Sequence, residues 1–120
     1  MVYEEVHKIN EYLSKQLWMD FEVCCLGRGE VGLYGFLDES GDNYLKIIFK
    51  NPFMVISPFC FTYSGDGEFI SILEGDEAFK INRKYGITQD NILFKIINIE
   101  DITGEIIIAA KEIFVEIYKE

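Results

Sequence analysis

Phe21-Glu22-Val23-Cys24-Cys25-Leu26-Gly27-Arg28-Gly29-Glu30-Val31-Gly32-Leu33-Tyr34-Gly35-Phe36-Leu37 is the stretch on which the fold turns. Two readings compete for it. Gly27, Gly29 and Gly32 match G-x-G-x-x-G after a predicted strand, the spacing of a dinucleotide-binding turn. That chemistry needs a helix straight after the motif, whose N-terminal N–H groups hold the pyrophosphate. Here Gly32, Gly35 and the polar loop from Asp38 leave no room for one. An acid about 20 residues onward should bind the ribose, and Phe49 and Lys50 stand there instead. Glu30 inside the motif would also repel a phosphate. The glycines therefore read as a hairpin, with strands over 21–26 and 31–37 about a turn at 27–30. No cofactor is expected.

Outward from this hairpin the same β-rich pattern continues. Strands are expected over 44–50, 53–57, 59–63, 68–73 and 92–99, separated by turn residues and by Asn51-Pro52 and Pro58. The strand over 68–73 is apolar on both faces and so is expected to be central, covered on each side. N-terminally, Val2, Val6, Ile9, Leu13 and Leu17 form one stripe, which predicts an amphipathic helix over 2–18. A short helix is expected near 77–85, with Asp76 as N-cap, Arg83 and Lys84 in the last turn and Gly86 in the left-handed C-terminal position. Ile106, Ala110, Ile113 and Ile117, spaced by four, three and four, predict a C-terminal helix over 103–119. The expectation is a single α+β domain over 1–120: an antiparallel sheet of five to six strands flanked by three helices.

Charge is distributed unevenly. Residues 20–42 contain Asp20, Glu22, Glu30, Asp38, Glu39 and Asp42 against Arg28, and residues 66–77 contain Asp66, Glu68, Glu74, Asp76 and Glu77 with no base. These two stretches account for the whole net charge of −10. Such a surface repels phosphate backbones and anionic membranes, which argues against both as partners. The acids are expected in loops at strand ends. If those loops share one rim they form a binding surface for a basic partner; if they diverge they serve solubility.

Little in the chain points to catalysis. His7 is the single histidine, beside the apolar stripe of the first helix, and nothing places it next to a serine or cysteine nucleophile. Cys24, Cys25 and Cys60 lack metal or redox spacing, and they read as buried structural thiols in a reducing cytoplasm. Asp38, Ser40 and Asp42 stand at the first, third and fifth places of a calcium loop, but Asn43 and Phe49 replace the glycine and the bidentate glutamate it requires. No metal site is expected, and the chain reads as a non-enzyme. Phe53, Phe59, Phe61, Tyr63 and Phe69 read as filled core rather than as the lining of a ligand pocket.

In size, acidity, aromatic-rich strands and abundant isoleucine, lysine and asparagine, the chain resembles the immunity proteins of bacterial polymorphic toxin systems, including contact-dependent growth inhibition. The resemblance implies a cytoplasmic protein that binds and neutralises a cognate toxin, often a basic nuclease domain. Asp38, Glu39, Asp42, Asp66, Glu68, Glu74, Asp76 and Glu77 would then be contact residues, with Tyr44 and Tyr63 as aromatic anchors. Three rival readings make distinct demands. An acidic secretion chaperone would be a homodimer. A small-molecule-binding domain would hold an apolar cavity above about 300 Å³. A carboxylate hydrolase would pair two buried acids in a cleft.

Overall fold

The computed structural model describes residues 1–37 and 42–119. The described chain is α+β with two helices and two antiparallel sheets, not one sheet with three helices. In chain order the elements are α1 (Val2–Ser14), β1 (Met19–Cys25), β2 (Glu30–Phe36), β3 (Leu45–Lys50), β4 (Met54–Ile56), β5 (Cys60–Tyr63), β6 (Ile70–Leu73), α2 (Gly75–Tyr85), β7 (Ile92–Ile96), β8 (Ile106–Ala110) and β9 (Glu112–Ile117). The five-stranded sheet runs β5-β1-β2-β3-β9 and the four-stranded sheet runs β4-β8-β7-β6.

The β1–β2 hairpin forms as the opening stretch requires. Glu22 faces Tyr34 and Cys25 faces Val31 across it, while Gly27 and Gly29 take positive φ in the turn. No helix follows Gly32, which lies within β2. Gly35 is needed for packing: a Cβ there would stand 2.5 Å from Leu45 Cδ2 and 2.6 Å from Met19 Sδ.

The expected C-terminal helix is two strands. Ile106, Ile108 and Ala110 face the main core, as do Ile113 and Val115, so the inward positions move from even to odd numbers across Lys111. Two strands of period two joined by a one-residue slip reproduce the four-three-four spacing of a helix. β-Branched side chains favour the strand. The slip marks a corner where the chain passes from the four-stranded to the five-stranded sheet. β3 and β4 turn the same corner beside it, with Asn51 at φ 51° and Lys111 N–H donating to the Lys50 carbonyl at 3.0 Å. Strands that switch sheets at such bends are how two sheets enclose one core.

That core takes residues from both inner faces. Phe49 meets Phe94 edge-on at 5.3 Å between ring centroids, and Phe21 stacks on Phe69 at 4.5 Å. Phe61, Tyr63 and Phe69 are buried here as expected, whereas Phe53 and Phe59 are exposed. β6 is an edge strand, not a central one, and its second apolar face contacts α2 rather than a further strand.

α1 ends at Ser14, earlier than expected, so Leu17 falls outside it and is 88% exposed. The rest of the stripe packs inward, with Ile9 and Leu13 fully buried. α1 also closes the seam between the outer edges of the two sheets. Glu5 accepts a hydrogen bond from Val115 N–H of β9 at 3.1 Å. Asn10 accepts from the N–H groups of Phe69 and Ile70 and donates to the Ile70 carbonyl at the start of β6. Unpaired strand edges invite pairing with other chains, and these two side chains occupy them. α2 begins at Gly75 with Glu74, not Asp76, in the N-cap place, and Gly86 takes the expected left-handed conformation at φ 64°. It lies over the outer face of the four-stranded sheet, where Ala78 and Ile81 pack against the buried cluster of Ile87, Leu93 and Ala109. Among the described residues no helix is long and apolar enough to cross a membrane.

Candidate functional site

The described acidic residues of these loops do not gather on one rim. Asp66 and Glu68 follow β5 and lie beside Ser14, at the C-terminal end of α1. Asp42 is at that end too: its carboxylate meets Lys119 Nζ at 3.2 Å, and the Lys119 carbonyl accepts from the Tyr12 hydroxyl. Glu74 stands at the opposite end of α1, where it accepts a hydrogen bond from the Tyr3 hydroxyl. From Tyr3 to Ser14 the helix rises roughly 16 Å. Asp76 and Glu77 open α2 at the Glu74 end, with Glu77 paired to Lys95 at 3.3 Å. The 66–68 turn follows a residue packed against the α1–β1 link. Gly65, at φ 83°, sits so close to it that a Cβ would fall 2.0 Å from the Leu17 carbonyl oxygen. Asp38 and Glu39 lie outside the described residues, as does Ser40 of the calcium-like spacing.

The two aromatic anchors fare differently. Tyr63 is fully buried, its hydroxyl donating to the Gly67 carbonyl, so it cannot touch a partner. Burial, with Asp66 adding to it, pushes its phenol pKa up. Tyr44 is half-buried under Lys119, whose Nζ lies 4.8 Å from its ring centroid.

A different surface brings acids and aromatics together. Among the described residues, no helix covers the outer face of the five-stranded sheet. One cross-strand row spans all five strands: Cys60, Glu22, Tyr34, Lys46 and Glu116. Lys46 Nζ lies 5.4 Å from the Tyr34 ring centroid, and the Tyr118 hydroxyl donates to Glu116 at 3.1 Å. The next row carries Cys24, Gly32, Ile48 and Phe114, and beyond it stand Glu30, Lys50 and Glu112. Lys50 Nζ lies 5.2 Å over Phe114 and 3.6 Å from Glu30. Phe114 is 39% and Tyr118 51% exposed. With Asp20 at the near end, this face holds five carboxylates against Lys46 and Lys50. The available signal was parity: along β1, β3 and β9 every charged residue falls on the same alternating set of positions.

The cysteines are not buried structural thiols. Cys25 and Cys60 are exposed and Cys24 is half-buried, because the outer sheet face and the hairpin end leave them uncovered. Burial, then Glu22 and the neighbouring thiols, push the Cys24 pKa up, away from the reactive thiolate. His7 is exposed on α1, 3.2 Å from Glu11. Among the described residues no group of His, Cys, Asp and Glu is arranged to hold a metal ion.

A pocket of about 600 Å³ opens between the first residues of α1, the end of β6 and the starts of β7 and β9. It is mostly apolar, and the aromatic run 53–69 contributes nothing to it. Comparison with protein-family models, curated proteins and solved structures finds no significant match.

Proposed function

We propose that the chain is a non-catalytic protein-binding module that neutralises a basic toxin domain, in the manner of the immunity proteins it resembles. The observation that carries this reading is the bare outer face of the five-stranded sheet. Interfaces are enriched in aromatic side chains, and Tyr34, Phe114 and Tyr118 supply them. The carboxylates of Asp20, Glu22, Glu30, Glu112 and Glu116 around them complement a cationic partner and would steer its approach. Glu22 and Glu116 flank the central Tyr34–Lys46 pair, which makes them the first candidates for charge-assisted hydrogen bonds to arginine. Asp42, Asp66 and Glu68 at one end of α1, and Glu74, Asp76 and Glu77 at the other, extend the negative field.

The test is capture of the partner from the source cells, followed by association kinetics of the purified pair at several salt concentrations. A cationic partner whose association rate falls steeply with salt, and falls again in Glu22→Lys/Glu116→Lys, supports the reading. A partner without a basic surface, or a rate indifferent to salt, overturns it.

A further inference from the structure

We propose that the pocket at the N-terminal end of α1 binds a small organic cation: an apolar body carrying a primary amine. The inference does not rest on the toxin-binding reading. α1 seals the seam between the sheets with Glu5 on β9 and Asn10 on β6. Past Glu5, towards Met1, the edges part and leave a pocket of about 600 Å³. That volume lies within the range of about 300–1,000 Å³ found for small-molecule sites. Val2, Ile72, Leu93 and Ile113 form apolar walls suited to a hydrocarbon body.

The polar side chains of the pocket ask for a donor. Glu74, at the end of β6, and Glu112, at the start of β9, bring two carboxylates to it, and neither Lys nor Arg lines it. Asn91 lines it too, with its Nδ2 donating to Thr88. An ammonium offers three donors and no acceptor, which matches this set, whereas a carboxylate-headed amphiphile would meet two like charges. The ring of Tyr3, exposed at the pocket, adds a face that attracts a cation.

The experiment titrates the full chain with n-octylamine, 1-octanol and octanoate below their micelle-forming concentrations. Binding is followed by methyl NMR shifts of Val2, Ile72, Leu93 and Ile113. One octylamine per chain is expected, shifting these methyls and binding about tenfold more tightly than octanol, with octanoate weaker still. Glu74 and Glu112 are exposed, so Glu74→Gln/Glu112→Gln should fold normally; it should erase the preference for the amine and keep octanol binding. Ile72→Trp should weaken the binding of octylamine and octanol together by filling the pocket. Equal affinity for the three compounds, shifts spread over the surface, or no octylamine binding would each overturn the proposal.

Discussion

The four-stranded sheet hides both of its faces, one in the core and one against α2, whereas the five-stranded sheet hides one and presents the other to solvent. The sequences of their strands record the difference. β8 reads Ile-Ile-Ile-Ala-Ala and is buried at every position. β3 reads Leu-Lys-Ile-Ile-Phe-Lys, and its fully buried residues, Leu45, Ile47 and Phe49, alternate with half-covered ones. A strand covered on both sides can afford no charge without a partner. Lys95, the lysine of β7, accordingly pairs with Glu77 of α2 and with Glu105. On the open face, by contrast, charge and aromatic surface coexist.

The largest expected effect lies where the two inner faces meet. Phe94→Ala should cost about 3–5 kcal/mol in denaturant unfolding, because it empties a fully buried site against Phe49. Tyr34→Ala on the open face should cost well under half of that, and equal losses would break the comparison. Next comes the cover itself. Ile81→Asp puts a charge between α2 and the four-stranded sheet and should destabilise by about 1–3 kcal/mol. Ile48→Asp on the open face should be milder by the same assay.

Glu5→Gln tests the seam and should cost about 1 kcal/mol, since it keeps the acceptor for Val115 but loses the Lys8 ion pair. Burial alone would raise the Glu5 carboxyl, but the Lys8 ammonium and the Val115 N–H together hold it below its ordinary value of 4.5. Its contribution is therefore present above pH 4.5 and is lost as pH falls through the lower folded value. Urea unfolding below that pH should show Glu5→Gln and the parent converging; a constant gap would refute the ionic account. Glu22→Lys/Glu116→Lys should leave stability within about 0.5 kcal/mol while slowing association with a basic partner. The smallest effect concerns the corner. Lys111 and Thr88 hold the exposed Asp90 carboxyl at about 2, and Lys111→Met should return its NMR titration midpoint towards 3.8 with little change in melting temperature.

The hairpin at 21–37 was legible because its signals are local: two glycines at positive φ between alternating runs. The helix at Gly75–Tyr85 was legible through its terminal charges and Gly86. Residues 106–117 were not, because a one-residue slip between strands imitates helical spacing, and only pairing with β7, β4 and β3 separates the two. The role of Glu5 and Asn10 was equally hidden, since each looks like an ordinary polar helix position until a strand edge arrives beside it. Tyr63 drew two expectations, core residue and partner anchor, and only its full burial in the structure decides for the core.

By itself the sequence determined the β-rich character of the chain, its first hairpin, the apolar face of α1 and the segregation of its negative charge. These follow from residue type and short spacing, which act over a few residues. Tertiary structure alone decided that the strands divide into two sheets about a corner, and that the acidic loops part to opposite ends of α1. It also decided that one sheet face stays open, and that a pocket remains where the helix stops short of the seam. The physical reason is that each of these depends on which distant backbone edge or face comes to lie alongside, and no local pattern encodes that distance.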